Sequence, residues 1–288
     1  GDHRDLHYPL RRQRQMCIRD SNLGRVYSND QRPIFNLNYL LAGSEGTLAM
    51  VHEAKLRLTP LPAFQELIVV KYESFDDALR AAGILVQSDP TAIETVDEKI
   101  LGLAREDEIY HKVKDFVADE GSRPTRTINL VEFSGNEKSV VSAKVDQLAK
   151  IIHERKEISG EATGFYRTDI PEEIRDLWNL RKKGVGLLGN TKGRRKPIPF
   201  VEDTAVPPEN LAAYIREFRD LLESFGLEYA MFGHVDVGCL HVRPALDLKT
   251  TEDEEIVRKI SDGVCRLVRK YGGVMWAEHG RGFRTEYT

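Results

Sequence analysis

Short apolar segments alternate with amphipathic stretches of roughly 15–20 residues along most of this chain, and that alternation narrows its fold more than any other feature. FQELIVVKYE, AIETVD, RTINLVEFSG, GFYRT, PIPFVEDTAV, EYAMFGHV and CLHVRP read as strands. SFDDALRAAGILVQSD, NEKSVVSAKVDQLAKIIHERK, PEEIRDLWNLRKKGVGLL, PPENLAAYIREFRDLLESFG and TTEDEEIVRKISDGVCRLVRKYG read as helices, with further helix across residues 98–118. The punctuation agrees. Ser74 can cap the first helix, with Asp76 and Asp77 favouring the positive end of its dipole. Pro171 sits near the start of another, and Gly226 ends a third. Several strands alternate polar with apolar residues, the mark of a sheet with one covered face. The expectation is an α+β fold, with helices packed on one face of a mainly antiparallel sheet. A doubly wound parallel sheet is the competing architecture. No internal repeat of 20–50 residues is visible.

Upstream, HEAKLRLT carries Ala54, Leu56 and Leu58 in alternation and reads as a half-buried strand. Pro60 and Pro62 stop it, which marks a domain boundary. Residues 1–21 are rich in arginine and have neither helical nor strand periodicity, and RRQRQMCIRDS reads as translated adapter sequence. They are set aside as a non-native or disordered arm; a basic arm for an acidic partner is the alternative reading.

At 288 residues, 41% hydrophobic and 31% charged, the chain is long and apolar enough to bury a sizeable core. Its net charge of −4 argues against a nucleic-acid partner. No apolar run approaches the roughly 18 residues of a membrane span, and no apolar leader segment is seen. Three cysteines, widely spaced, build neither a disulfide framework nor a metal knuckle. A cytoplasmic setting follows, with peripheral attachment to an inner membrane as the alternative.

The stretch richest in chemistry is FGHVDVGCLHVRP. If the strands on either side of Gly238 fold back on each other, His234 and His241 point into one cavity. Imidazole binds zinc and similar ions at roughly 2.0–2.1 Å. WAEHGRG supplies a carboxylate, Glu278, as a third ligand, leaving positions open for water or substrate. The same residues are compatible with two structural histidines and, at His279, a surface turn.

The order and separation of GSEGTLAMVHEAKLRLTPLP, LWNLRKK, GHVDVGCLHVRP and GGVMWAEHGRG add to this. Across residues 22–288 the chain resembles the FAD-linked oxidase C-terminal family, which includes D-lactate and D-2-hydroxyglutarate dehydrogenases. The likeness is closest to long bacterial members in which flavin and iron–sulfur modules share a chain. The resemblance implies an α+β domain with ferredoxin-like elements over residues 63–288, preceded at residues 22–62 by the remnant of a flavin-binding domain. It implies FAD, and a divalent metal with zinc first and manganese and iron as alternatives. Any iron–sulfur cluster is expected only in a C-terminal part beyond this chain.

The family's GHxGDGNxH motif falls on residues 233–241, which makes His234 and His241 implied metal ligands. Its GEHG motif falls on residues 277–280, which makes Glu278 the third ligand and His279 the base that takes the substrate hydroxyl proton. The tryptophan–x–x–arginine segment makes Arg181, three after Trp178, the clamp for the substrate carboxylate. Gly43, Ser44, Glu45, Gly46 and Thr47 resemble a segment that runs along the flavin, where glycine lets backbone approach closely; a tight turn before a strand is the alternative reading. The implied substrate is a small 2-hydroxyacid of the D-lactate or D-2-hydroxyglutarate class. The electron acceptor is not specified.

Two departures matter. DVGC replaces GDGN in the turn, and Val201 stands where D-2-hydroxyglutarate enzymes carry a substrate lysine. Residues two apart on a strand share a face, so Arg243 is a candidate to share the cavity with His241 and grip a distal carboxylate instead; an Arg243 turned outward to solvent is the alternative reading. A metal-dependent hydrolase and a non-catalytic α+β module, including an inactive fragment of an enzyme, are the alternatives in other classes. No glycine-rich pyrophosphate loop or Rossmann fingerprint is present. The purified chain alone is therefore expected to lack stoichiometric FAD; a normal flavin absorption spectrum would contradict this.

Overall fold

The structure, a computed structural model, describes residues 25–27, 33–35, 40–41, 44, 46–55, 60–156, 158–189 and 193–277. The arm at 1–21 lies outside them. A two-stranded antiparallel ribbon, β1 (Arg25–Tyr27) with β2 (Pro33–Phe35), comes first. Residues 52–55 are exposed and form no strand, which corrects half of the strand expected around Ala54; Leu56 and Leu58 lie outside the described residues.

The remaining elements build one eight-stranded sheet and its helices. In order they are β3 (Phe64–Tyr72), α1 (Phe75–Arg80), α2 (Ala82–Gln87), β4 (Ala92–Val96), α3 (Glu98–Ala104), α4 (Ile109–Val113), β5 (Thr127–Gly135), α5 (Lys138–Arg155) and β6 (Gly164–Thr168). Then follow α6 (Pro171–Gly189), β7 (Lys196–Pro197), β8 (Thr204–Ala205), α7 (Leu211–Ser224), β9 (Tyr229–His234), β10 (Cys239–Leu246) and α8 (Thr251–Lys270). Ser74 caps α1 as expected, its side chain accepting from Asp77 N at 3.1 Å. The single helix expected over SFDDALRAAGILVQSD is divided at Ala81, whose φ/ψ of −67°/−16° stays helical.

The strand order β6–β3–β5–β4–β9–β10 contains the same unit twice. In the first, β3, α1/α2, β4, β5, α5 and β6 give a split β-α-β-β-α-β unit with strands in the order 4-1-3-2. In the second, β8, α7, β9, β10 and α8 follow the same path, and Val274, bridged to Ala205, stands for the fourth strand. The second strands of the two units, β4 and β9, pair antiparallel and join them. Antiparallel pairing throughout settles the architecture in favour of α+β.

Helices cover both faces, which corrects the expectation of a single covered face. In LIVVKY, Ile68, Val70 and Tyr72 enter a core with α1, α2, α5, α7 and α8, while Leu67 and Val69 enter another with α3, α4 and α6. Alternation is silent there because both sets of side chains are apolar and all are buried. The strand expected over PIPFVEDTAV is also corrected. Only its ends, β7 and β8, pair with β10; Ile198 N still donates to Pro244 O at 2.9 Å, and residues 199–203 leave the ladder between them. Pro197 and Pro199 lack the N–H that a ladder needs. No helix among the described residues is long and apolar enough to cross a membrane.

Asp97 fastens the junction between the units. One carboxylate oxygen accepts from Ile100 N at 2.8 Å, capping α3, and the other accepts from Met231 N of β9 at 2.9 Å. Burial raises its pKa to about 6 against the pull of those two donors and of Arg219. A carboxyl raised in the folded state stabilises the fold most when protonated, and that contribution is lost as pH rises from about 4 through 6. Asp97→Asn should therefore lose most stability, relative to the parent, at pH 4. The difference in urea midpoint should shrink towards pH 7; a constant offset would refute the assignment.

Candidate functional site

The site wall lies on the α6 face of the sheet, where the two units meet. Residues opposite each other in an antiparallel pair share a face. The register Glu94↔His234 and Val96↔Phe232 between β4 and β9, with Cys239↔His234, His241↔Phe232 and Arg243↔Ala230 between β9 and β10, lines up Glu94, His234, Phe232, Cys239, His241 and Arg243. Two glycines make the β9–β10 hairpin possible. A Cβ on Gly233 would stand 2.4 Å from Cys239 O, and one on Gly238, at φ +68°, 1.8 Å from Val206 O.

The two imidazoles meet: the rings of His234 and His241 stand edge-on with centroids 5.6 Å apart. His241 is buried, its ring 5.2 Å from that of Phe232, and the His234 side chain is 23% accessible. His234 Nδ1 is hydrogen-bonded to Glu94 Oε1. The other oxygen of Glu94 accepts from Arg181 Nε at 2.9 Å. Glu94 thus ties a histidine of β9 to an arginine of α6, and both it and Arg181 are nearly enclosed, at 9% and 12% accessible.

Arg181 arrives because Leu177 and Leu180 of α6 are fully buried on the sheet, while Trp178 packs partly buried against the same apolar cluster. The Arg181 guanidinium lies over the Phe232 ring, 4.6 Å from its centroid. Arg243 approaches the same ring at 5.3 Å and donates from Nε to buried Glu202 at 2.7 Å. Val201, Glu202's neighbour, is packed in the core on the opposite face and has no part in the wall.

Asp203 completes this edge. Its φ of +74° is unusual for a residue with a Cβ, at a cost of about 1–3 kcal/mol. Its carbonyl and Oδ2 both accept from Ala277 N, at 2.8 and 3.1 Å. Among the described residues, Asp203, Cys239 and His241 form a group of possible metal donors, all within 4.8 Å of one another. Glu278 and His279, expected as third ligand and base, lie outside the described residues, as do Gly43 and Glu45. Ser44, Gly46 and Thr47 form a turn, with Ser44 Oγ donating to Leu41 O at 2.9 Å and Thr47 Oγ1 to Ser44 O at 2.6 Å. Gly46 there has φ +80° and open space where a Cβ would stand.

Glu94, Glu202, Asp203 and Cys239 were not identified from sequence as site residues. A charged residue inside the apolar AIETVD was the available signal for Glu94, but alternation does not reveal the partner strand.

Residues 61–288 match the model of the FAD linked oxidases, C-terminal domain, and this chain belongs to that family. It is 50% identical over 271 residues to a D-2-hydroxyglutarate dehydrogenase of Pseudomonas putida, covering 94% of this chain and 26% of that protein. The enzyme of the same name from Escherichia coli is 48% identical over 263 residues, 90% of this chain and 26% of that one. The chain thus spans 26% of the length of these relatives. Among solved structures, alkyldihydroxyacetonephosphate synthase shares the fold with a TM-score of 0.56 at 16% identity, over 85% of this chain and 46% of that one.

Removing Glu94 leaves an enclosed guanidinium without its carboxylate. Glu94→Ala should cost about 3–5 kcal/mol in urea denaturation. The double variant with Arg181→Ala should recover part of that loss; strict additivity would show that the pair is not coupled.

Proposed function

We propose that this chain is the substrate-holding part of an FAD-dependent dehydrogenase that oxidises a D-2-hydroxyacid, of the D-2-hydroxyglutarate or D-lactate class, to the 2-oxoacid. The observation that carries the reading is one wall bearing two imidazoles and two arginines, in a chain 50% identical to a D-2-hydroxyglutarate dehydrogenase. Residues 22–62 are read as the end of the flavin-binding domain and 63–288 as the substrate domain. Exposed Leu48, Met50, Val51 and Leu61 support that division as apolar surface suited to packing against further flavin-domain structure. Gly43, Ser44, Glu45, Gly46 and Thr47 are assigned to the flavin, in keeping with the open backbone at Gly46.

The wall also suits a divalent cation. Among the described residues, three carboxylates, Glu94, Glu202 and Asp203, stand beside the two guanidiniums and the imidazoles, so oxygen and nitrogen donors of the kind a divalent cation takes are gathered there. His234, His241 and Glu278 are assigned to hold that ion, with zinc first. Glu94 behind His234 is the kind of carboxylate that orients a ligating imidazole. When bound, FAD supplies the hydride acceptor and the ion supplies Lewis acidity.

The chain's own residues do the rest. Arg181 meets the substrate's α-carboxylate, its guanidinium held in place by Glu94 and Phe232. His279 takes the hydroxyl proton. Arg243 meets the distal carboxylate of a diacid. The reading puts any iron–sulfur centre outside this chain, whose three cysteines form no ligand run. A cytoplasmic setting accords with that sparse cysteine content.

The test joins this chain to a flavin-binding domain and measures dye reduction. D-2-hydroxyglutarate and D-lactate should both reduce the dye. Arg243→Leu with Glu202→Gln, which avoids stranding a buried carboxylate, should raise KM for D-2-hydroxyglutarate about 10–100-fold and spare D-lactate. Equal effects on both would remove Arg243 from the substrate site. Hydrolysis of esters without any dye reduction would overturn the dehydrogenase reading.

A further inference from the structure

We propose that Cys239 is a metal ligand, and that Asp203, Cys239 and His241 together present a mixed sulfur, nitrogen and oxygen donor set to a divalent ion of the zinc class. The inference rests on the reading of His241 as a ligand and departs from it in the other donors. Cys239 occupies a position in the turn where the family pattern has asparagine, so the departure has a chemical content.

The geometry is close to what a metal requires. The three donor atoms already lie within 4.8 Å of one another, with Cys239 Sγ and Asp203 Oδ1 at 3.9 Å. Tetrahedral coordination at about 2.0–2.3 Å sets donor separations of roughly 3.3–3.8 Å. Small side-chain rotations close that gap. The donors come from separate parts of the fold, and the backbone aims them together. Cys239 and His241 are two apart on β10 and share a face, and Cys239 is paired in register with Ala205, two residues after Asp203. All three are at least nine-tenths buried: Cys239 is 0%, Asp203 2% and His241 4% exposed. Asp203 Oδ2 receives the Ala277 N–H at 3.1 Å, which directs Oδ1 towards the sulfur.

The donor set also makes a selection. Thiolate favours zinc, whereas a site of carboxylate and water suits manganese. The assignment therefore sets manganese aside and keeps zinc first.

X-ray absorption at the zinc edge reads the ligands directly and is unaffected by flavin or iron. In the purified protein equilibrated with zinc, one sulfur scatterer at about 2.3 Å should accompany nitrogen and oxygen neighbours at about 2.0–2.1 Å. Cys239→Ser should abolish the sulfur shell, and Cys17→Ser with Cys265→Ser should retain it. Stoichiometric zinc with only nitrogen and oxygen neighbours overturns the role of Cys239 while sparing the metal reading. A sulfur shell that survives Cys239→Ser overturns it as well. Failure to bind zinc at all removes both. If Cys239→Ser does not fold, the Cys17→Ser/Cys265→Ser protein decides the matter, because Cys239 is then the one cysteine left to give a sulfur shell.

Discussion

Three residue pairs between β4 and β9 hold the two halves of the sheet together: Glu94 opposite His234, Thr95 opposite Gly233, and Val96 opposite Phe232. So short a ladder is reinforced at both ends. Val235 N donates to Ile93 O at 3.0 Å, and Met231 N to the buried Asp97 carboxylate at 2.9 Å. Beneath it, one continuous apolar core runs from α1 and α5 to α7 and α8, across the boundary between the units. The seam decides which side chains become neighbours. A slip of one residue would put Glu94 and His234 on opposite faces of the sheet. Both the stability of the join and the identity of the wall depend on this register.

The wall shows how charge is kept in a half-buried place. Arg181 and Arg243 both approach the ring of Phe232, so two like charges converge on one aromatic side chain. That arrangement is tolerable because each has its own carboxylate, Glu94 for one and Glu202 for the other. The carboxylates also restrict the guanidiniums. An arginine already held along one edge has little rotamer freedom left to lose when an anion meets it. The pairing thus trades some positive charge for orientation.

How much of this was legible beforehand varies with the range of the interaction. The long helices α5, α6, α7 and α8 could be read because their periodicity and caps are local; Thr250, for instance, caps α8 by accepting from Asp253 N. The hairpin at Gly238 was legible for the same reason. The doubled topology was not, because β3 and β8 occupy corresponding places with different lengths and no common residue pattern. Two-faced burial was hidden by strands apolar on both sides, such as Ile68 and Val69. Arg181 emerged only from its resemblance to a motif; its distance from Trp178 says nothing of Glu94. Glu202 and Asp203 were read as strand residues, when they belong to a bulge that pairing with β10 at two separate places creates.

The two units are alike in topology but unequal in their fourth strand. In the first, β6 pairs with β3 over five residues. In the second, the equivalent ladder is a single bridge, Ala205 to Val274. Gly273 permits it, since a Cβ there would stand 2.3 Å from Ala205 O. Three residues later the backbone is engaged by Asp203, whose carbonyl and carboxylate both take the N–H of Ala277. A full fourth strand would have committed this N–H to a regular ladder, with its side chains fixed by strand alternation. The short bridge instead transfers control of the chain to an aspartate that stands beside Cys239 and His241. The inequality thus coincides with the point at which a symmetric scaffold acquires a one-sided site, and the unusual φ of Asp203 is the local conformational cost of that transfer.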